Sequence, residues 1–149
     1  MEFEISDKFI VFKDKLDTWE EAIKVSAKPL LKNGYINKNY IKSMIDSVNE
    51  NGPYICIAPN IAMPHARPEN GSKKVGFSIL RLKEAVSFSD NKDHDSQLLI
   101  TLSCKESDKH IEILQNIVDI LSIDNNINKI INAKSKNEII KIFKGGNNE

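Results

Sequence analysis

The sequence predicts an α/β (α+β) fold in which a mixed β-sheet of about five strands is sandwiched by helices. Helical periodicity fills residues 19–31 and 37–48, short apolar β-type runs cluster between residues 54 and 104, and helical periodicity returns from 108 to 143. Helices, then strands, then helices is the order expected when helical layers cover a sheet. With 149 residues, 40% of them hydrophobic and 28% charged, the chain reads as a single domain spanning 1–149. A chain of that length buries about 70% of its unfolded surface.

In order, Phe9-Ile10-Val11-Phe12 is a β-type run and the expected first strand. Asp17 or Thr18 offers an N-cap for a helix from Trp19 to Leu31, with Glu20 and Glu21 at its positive end and Gly34 closing it. Pro29 in its last turn is expected to end or kink it. A second helix fits Asn37 to Val48, with Tyr40, Ile41, Met44, Ile45 and Val48 on one face, and Asn51-Gly52-Pro53 breaks it. Tyr54 to Ala58 and Ile61 to Met63 read as two short strands around a Pro59-Asn60 turn. Val75 to Leu82 is a further strand, in which Gly76 marks a close backbone approach or a bulge. Val86-Ser87-Phe88 reads as a brief edge strand, followed by a polar loop from Ser89 to Ser96. Leu98 to Cys104 is nearly all apolar, as in a central strand covered on both faces. Ser107 is placed to cap a helix from Asp108 to Ser122 with Ile111, Leu114, Ile117, Val118 and Leu121 as its stripe. Two short helices, Asp124 to Ala133 and Ser135 to Phe143, precede a frayed tail from Gly145 to Glu149.

The charge pattern excludes several classes of function. The 21 basic and 21 acidic residues are interleaved without a basic stripe, which argues against a nucleic-acid partner. No apolar run approaches the roughly 20 residues of a membrane helix, and Met1-Glu2-Phe3-Glu4 lacks the character of a secretory signal. Cys56 and Cys104 sit in apolar runs without metal-type spacing, as two buried thiols in a reducing compartment would. A cytoplasmic location without direct membrane insertion is the expectation.

The chemistry concentrates between Gly52 and Glu69, where four of the five prolines and His65 fall. Pro64 and Pro68 bias Met63 and Arg67 toward extended geometry, so His65 and Arg67, two apart, are expected on one face with Met63 beside them. Arg67 is one of only two arginines. His110 forms a second clue. If Ser107 is the cap, His110 lies in the first turn of a long helix, where the dipole disfavours imidazolium and backbone N–H groups attract anions. The strand from Leu98 leads into that helix, at the kind of strand end where ligands gather in open sheets. The oxygen-rich run Asp90-Asn91-Lys92-Asp93-His94-Asp95 lacks the glycine and closing glutamate of a calcium loop and reads as a solvated acidic loop, so neither a metal nor a cofactor is expected. Ser72, Ser78 and Ser87 fit no nucleophile elbow.

The runs Gly52-Pro53-Tyr54-Ile55 and Ile61-Ala62-Met63-Pro64-His65-Ala66-Arg67-Pro68-Glu69 resemble the EIIA type-2 domains of the bacterial phosphoenolpyruvate-dependent sugar phosphotransferase system. Within that family they are most similar to the ascorbate-type branch. Val86-Ser87-Phe88, the strand from Leu98 and His110-Ile111 follow in the family's order. The resemblance implies the mannitol-type fold and a phosphohistidine carrier. His65 would accept a phosphoryl group from the phosphocarrier protein HPr and pass it to a cysteine of a cognate EIIB, upstream of a membrane EIIC permease. His110 matches the auxiliary histidine, and Met63 and Ala66 are expected partner contacts. The mannitol and fructose branches carry an arginine late in the helix before the motif, where this chain has Ser47-Val48-Asn49. That departure argues against a mannitol or fructose substrate and makes Arg67 the expected cation beside the nucleophile. The alternative is a regulatory, nitrogen-type EIIA that binds targets according to its phosphorylation state.

Overall fold

The computed structural model describes residues 5–103 and 107–145, with side chains of the second segment described for 111–144. The Met1–Glu4 segment, Cys104, the Ser107 cap, the His110 side chain and the tail beyond residue 145 lie outside the described residues. Strand β1 is Ile10–Lys13, helix α1 Trp19–Lys32, α2 Lys38–Asn51, β2 Asn60–Ala62 and β3 Gly76–Ser87. They are followed by β4 Asp95–Ser103, α3 Ser107–Leu121, α4 Asn126–Ile131 and α5 Lys136–Gly145. The four strands form one sheet in the order β1-β3-β4-β2, parallel at both outer pairs and antiparallel in the middle. None of the helices among the described residues is long and apolar enough to cross a membrane.

The two-residue period of the strands sorts the core into two layers. On one face Phe77 and Ile79 of β3 and Leu98, Ile100 and Leu102 of β4 pack with Ile113, Ile117, Ile130, Ile139 and Phe143 of α3 to α5. On the other, Leu80, Leu82 and Leu99 pack with Ala22, Ile23, Ala27 and Leu30 of α1 and Tyr40, Met44 and Val48 of α2. Two polar pairs lie on this second face: Ser26 and Thr101 hydroxyls are 2.7 Å apart, and Ser78 Oγ donates to the Ser26 carbonyl at 2.5 Å. Opposite, the buried Arg81 donates to the Ile131 and Ala133 carbonyls, each at 2.8 Å, and lies 4.1 Å over the Phe12 ring. A guanidinium at carbonyls near the end of α4 suits the negative pole of that helix.

Local chemistry explains the helix ends. Thr18 Oγ1 accepts from the Glu21 N–H at 3.2 Å, and Asn37 Oδ1 accepts from the Tyr40 N–H at 3.0 Å. Pro29 does not end α1, which continues to Lys32, where Asn33 Nδ2 donates back to the Pro29 carbonyl at 2.7 Å. Gly76 permits a close approach: a Cβ there would sit 2.7 Å from the Tyr35 ring.

Three expectations need correction. The sheet has four strands rather than about five, because Tyr54 to Ala58 forms turns. Pro53 and Pro59 cannot donate to a ladder, and the segment closes on itself through Tyr54 N–H to Gly52 O (2.9 Å) and Cys56 N–H to Pro53 O (3.0 Å). Val86 and Ser87 belong to β3, whose pairing with β4 shifts register between Arg81 and Val86. Cys56 is half-buried rather than buried. Its thiol donates to the His94 carbonyl at 3.6 Å, and burial pushes its pKa up, with the Asp95 charge adding and the Ser96 hydroxyl opposing.

Gly71 has φ +134°, and a Cβ there would overlap the side-chain amide of Asn37, the α2 cap. Gly71→Ala is expected to destabilise the chain by about 2 kcal/mol, lowering Tm by roughly 4–8 °C, as thermal circular dichroism will read.

Candidate functional site

The loop after β2 is sewn to the sheet and to α2 by main-chain hydrogen bonds. Met63 N–H donates to the Ile55 carbonyl at 2.8 Å, and the Leu102 N–H of β4 donates to the Pro64 carbonyl at 3.0 Å. Tyr40 of α2, 1% exposed, reaches between these segments. Its hydroxyl donates to the Leu102 carbonyl at 2.8 Å, with the Ala66 carbonyl 3.2 Å away as the other acceptor, and accepts from the Ala66 N–H at 3.1 Å. Arg67 is extended, with φ −68° and ψ 141°, as the following proline requires. The residues on either side of His65 are thus held by the sheet and by α2.

His65 is half-buried, and its Nδ1 lies 2.8 Å from the Met63 carbonyl. A carbonyl oxygen only accepts, so Nδ1 carries the proton and the in-plane lone pair of the neutral ring sits on Nε2. The Tyr54 ring stands perpendicular to the imidazole, at 88° with centroids 5.8 Å apart. The Tyr54 hydroxyl is 2.8 Å from that of Ser47 on α2.

His65, Ala66 and Arg67 line one wall of an open cleft of about 720 Å³, with Pro68, Glu69 and Asn70 beyond them. Ser43, Asp46, Ser47, Glu50 and Asn51 of α2 form the facing wall, and Tyr54 and Ile111 complete the lining. His65 and Arg67, expected on one face, thus line the same cleft. Met63 is different: it is 1% exposed and packs in the core beneath the α3 to α5 layer. As a partner contact it is corrected, because β2 ends at Ala62 and residue 63 keeps the strand's alternation, which turns it inward. Ala66 lines the cleft, although both its backbone groups are engaged by Tyr40. His110 belongs to the first turn of α3, next to the cleft-lining Ile111, which is 67% exposed. His94 binds the Ser89 hydroxyl through Nδ1 at 2.7 Å in a separate turn.

Sequence reasoning missed Tyr54 and Ser47 as site residues and gave Tyr40 only a core role. The signal for Tyr54 was its place in Gly52-Pro53-Tyr54, within a segment read as a strand. Asp46, Glu50 and Glu69 were also missed, and they make three carboxylates to one guanidinium among the described lining residues. Among the described residues, no cluster of three or more His, Cys, Asp or Glu side chains is placed to hold a metal ion.

The arrangement is an imidazole with a defined tautomer at the wall of an open cleft, suited to nucleophilic capture and release of a group. Comparison with known proteins points the same way. Residues 4–146 match the family model for the phosphoenolpyruvate-dependent sugar phosphotransferase system, EIIA 2. A mannitol-specific cryptic phosphotransferase enzyme IIA component of Escherichia coli K12 is 40% identical over 128 residues, 86% of each chain. The solution structure of the component so named from Escherichia coli superposes with a TM-score of 0.85 at 36% identity, covering 96% of each chain. An ascorbate-specific EIIA component from the same strain is 30% identical over 138 residues, 92% of this chain and 90% of its own. At 24% identity the fold alone is shared with enzyme IIA of the mannitol system of Escherichia coli, solved in complex with phosphorylated enzyme IIB (TM-score 0.84, covering 96% of this chain and 99% of that one). The expected mannitol-type fold is thereby borne out, and the two relatives carry different sugar names. The chain belongs to the EIIA type-2 family and is a phosphotransferase component of the sugar phosphotransferase system.

Proposed function

We propose that Nε2 of His65 accepts a phosphoryl group from phospho-HPr and passes it to the cysteine thiolate of a cognate EIIB, in the cytoplasm and upstream of an EIIC permease. The observation that carries this reading is the 2.8 Å contact from His65 Nδ1 to the Met63 carbonyl, made at the wall of an open cleft. As Nε2 attacks, the donor's P–N bond breaks, the bonding pair returns to the donor ring, and an Nε2–P bond forms. The His65 ring then gains positive charge, which the Met63 carbonyl stabilises through the Nδ1 proton. The same proton makes the ring a better leaving group when the EIIB thiolate attacks phosphorus, because the ring then departs as a neutral imidazole. Positioning and charge stabilisation supply most of the catalysis in phosphoryl transfer. Arg67, on the same wall, would bind equatorial oxygens of the phosphoryl group, and His110 would assist from α3.

The transported compound is proposed as ascorbate or a related sugar. The Gly52-Pro53-Tyr54 run and the lack of a late α2 arginine support this, although the relative with the higher identity carries the mannitol name. Phosphoryl transfer to purified ascorbate-type and mannitol-type EIIB domains discriminates the two. Faster transfer to the ascorbate-type domain is expected, and preference for the other reverses the assignment.

Incubation with phosphoenolpyruvate, the first enzyme of the system and HPr, followed by mapping of acid-labile phosphate, tests the acceptor. Label is expected on His65 alone, lost in His65→Ala and slowed in His110→Ala; label on another residue defeats the reading. Arg67→Ala is expected to lower the rates of uptake and release by roughly tenfold, in the range for one charged donor at a partly solvated site. Wild-type rates in that variant remove Arg67 from the mechanism.

A further inference from the structure

The sheet ends in β1, which pairs with β3 on one side and, among the described residues, with no strand on the other. An edge of this kind presents main-chain N–H and C=O groups that can receive a further strand. A trough of about 610 Å³ lies against it. Ile10, Val11, Phe12 and Lys13 all line the trough, so it follows the rim of the sheet and not one face. Val11 packs with the α1 and α2 layer and Phe12 with the α3 to α5 layer, which puts the trough between the two helical layers. Val25, Lys28, Pro29 and Lys32 form a stripe of α1 along it, and Lys136 at the start of α5 contributes from the other layer.

Charge is the second observation. Lys8, Lys13, Lys28, Lys32 and Lys136 are all exposed on the trough, against one carboxylate, Asp7, among the described lining residues. None of the five lysines is ion-paired among the described residues. The excess is local, since the whole chain carries 21 basic and 21 acidic residues. Lys8 precedes β1 and Lys13 ends it, so the cations are spread along the edge and do not converge on a point.

We propose that the β1 rim docks an extended, acidic segment of a partner protein, which adds a strand beside β1 while its carboxylates pair with the flanking lysines. Strand addition draws affinity from main-chain hydrogen bonds and specificity from the side-chain surroundings of alternate residues. Here those surroundings are half-buried Val11, Phe12 and Val25 with exposed ammonium groups around them. A second copy of this chain fits poorly, because the same lysines would face one another across the new pair. A small anion would use neither the length of the edge nor its amides, and a nucleic acid would leave the amides and the apolar floor unused. The trough shares no described lining residue with the His65 cleft, and β1 and β2 lie at opposite ends of the sheet. Docking at β1 therefore leaves that cleft open.

The probe is a short fluorescent peptide of alternating glutamate and valine, titrated into the full chain, with 15N–1H correlation spectra to locate it. Binding is expected to shift the amides of residues 10–13 and to weaken as salt rises. Lys28→Gln with Lys32→Gln and, separately, Lys8→Gln with Lys13→Gln are each expected to weaken it roughly three- to tenfold. The first pair lies on α1 and the second outside it, and thermal circular dichroism checks that both variants fold. Consecutive main-chain N–H groups of a strand point to opposite sides, so methylating two adjacent central nitrogens of the peptide blocks either of its edges. That peptide is expected to bind at least about tenfold more weakly. Equal binding of the methylated peptide, undiminished binding by both lysine variants, or shifts confined to residues away from β1, α1 and α5 each overturns the proposal. So does displacement of the peptide by equimolar inorganic triphosphate, which makes the trough an anion site, or by an equimolar single-stranded oligonucleotide. Dimerisation of the free chain through residues 10–13, read by sedimentation and the same spectra, overturns it in favour of a second copy.

Discussion

The hydroxyl of Tyr40 is the point through which the candidate site is tied to the fold. Carried on α2 and almost wholly buried, it meets the Leu102 carbonyl of β4 and both backbone groups of Ala66. One oxygen thus joins a helix, a central strand and the loop bearing His65. A buried hydroxyl must find partners, because leaving it unpaired costs about 1–3 kcal/mol. The same requirement that keeps Tyr40 satisfied therefore keeps Ala66 in place. His65, one residue earlier, inherits that position from both sides, since Pro64 is held in turn by the Leu102 N–H.

The prolines and the hydrogen bonds have separate tasks here. Pro64 and Pro68 restrict the backbone, but a stiff loop can still swing as a body. The bonds from Met63 to Ile55, from Leu102 to Pro64 and from Ala66 to Tyr40 remove that freedom by anchoring residues 63, 64 and 66 to the turn after α2, to β4 and to α2. What remains is the imidazole itself, and there a main-chain carbonyl two residues back selects the tautomer. A backbone carbonyl has no protonation state of its own near neutral pH.

The charges around the cleft fit a relay rather than a store. Asp46, Glu50 and Glu69 line it with Arg67, so a dianionic phosphoryl group on His65 would sit among carboxylates with one described cation beside it. Lys42 draws part of the Asp46 charge away, with Nζ 3.0 Å from Oδ2 at the helix surface. Electrostatic repulsion in such a setting disfavours a long-lived phosphoprotein and favours onward transfer.

Much of the fold was legible in the chain because it rests on local periodicity. The stripes of α1 and α2, the Thr18 cap and the apolar run of β4 depend on neighbours within a few residues. His65 and Arg67 stood out for similar reasons, through flanking prolines and the scarcity of arginine. Tertiary structure decided what local pattern cannot carry. Tyr54 to Ala58 has strand-like composition, yet its flanking prolines denied it a ladder and the chain curled. Met63 looked like a neighbour of His65 and was turned into the core by the alternation of β2. The reach of Tyr40 across 26 and 62 residues and the stand of Tyr54 against the imidazole arise from contacts between separate segments. The sequence by itself determined the periodicity from which most helices and strands were read, and it singled out His65 and Arg67 as candidates. Only the folded chain decided which way each side chain faces, because that depends on where separate elements come to rest against one another.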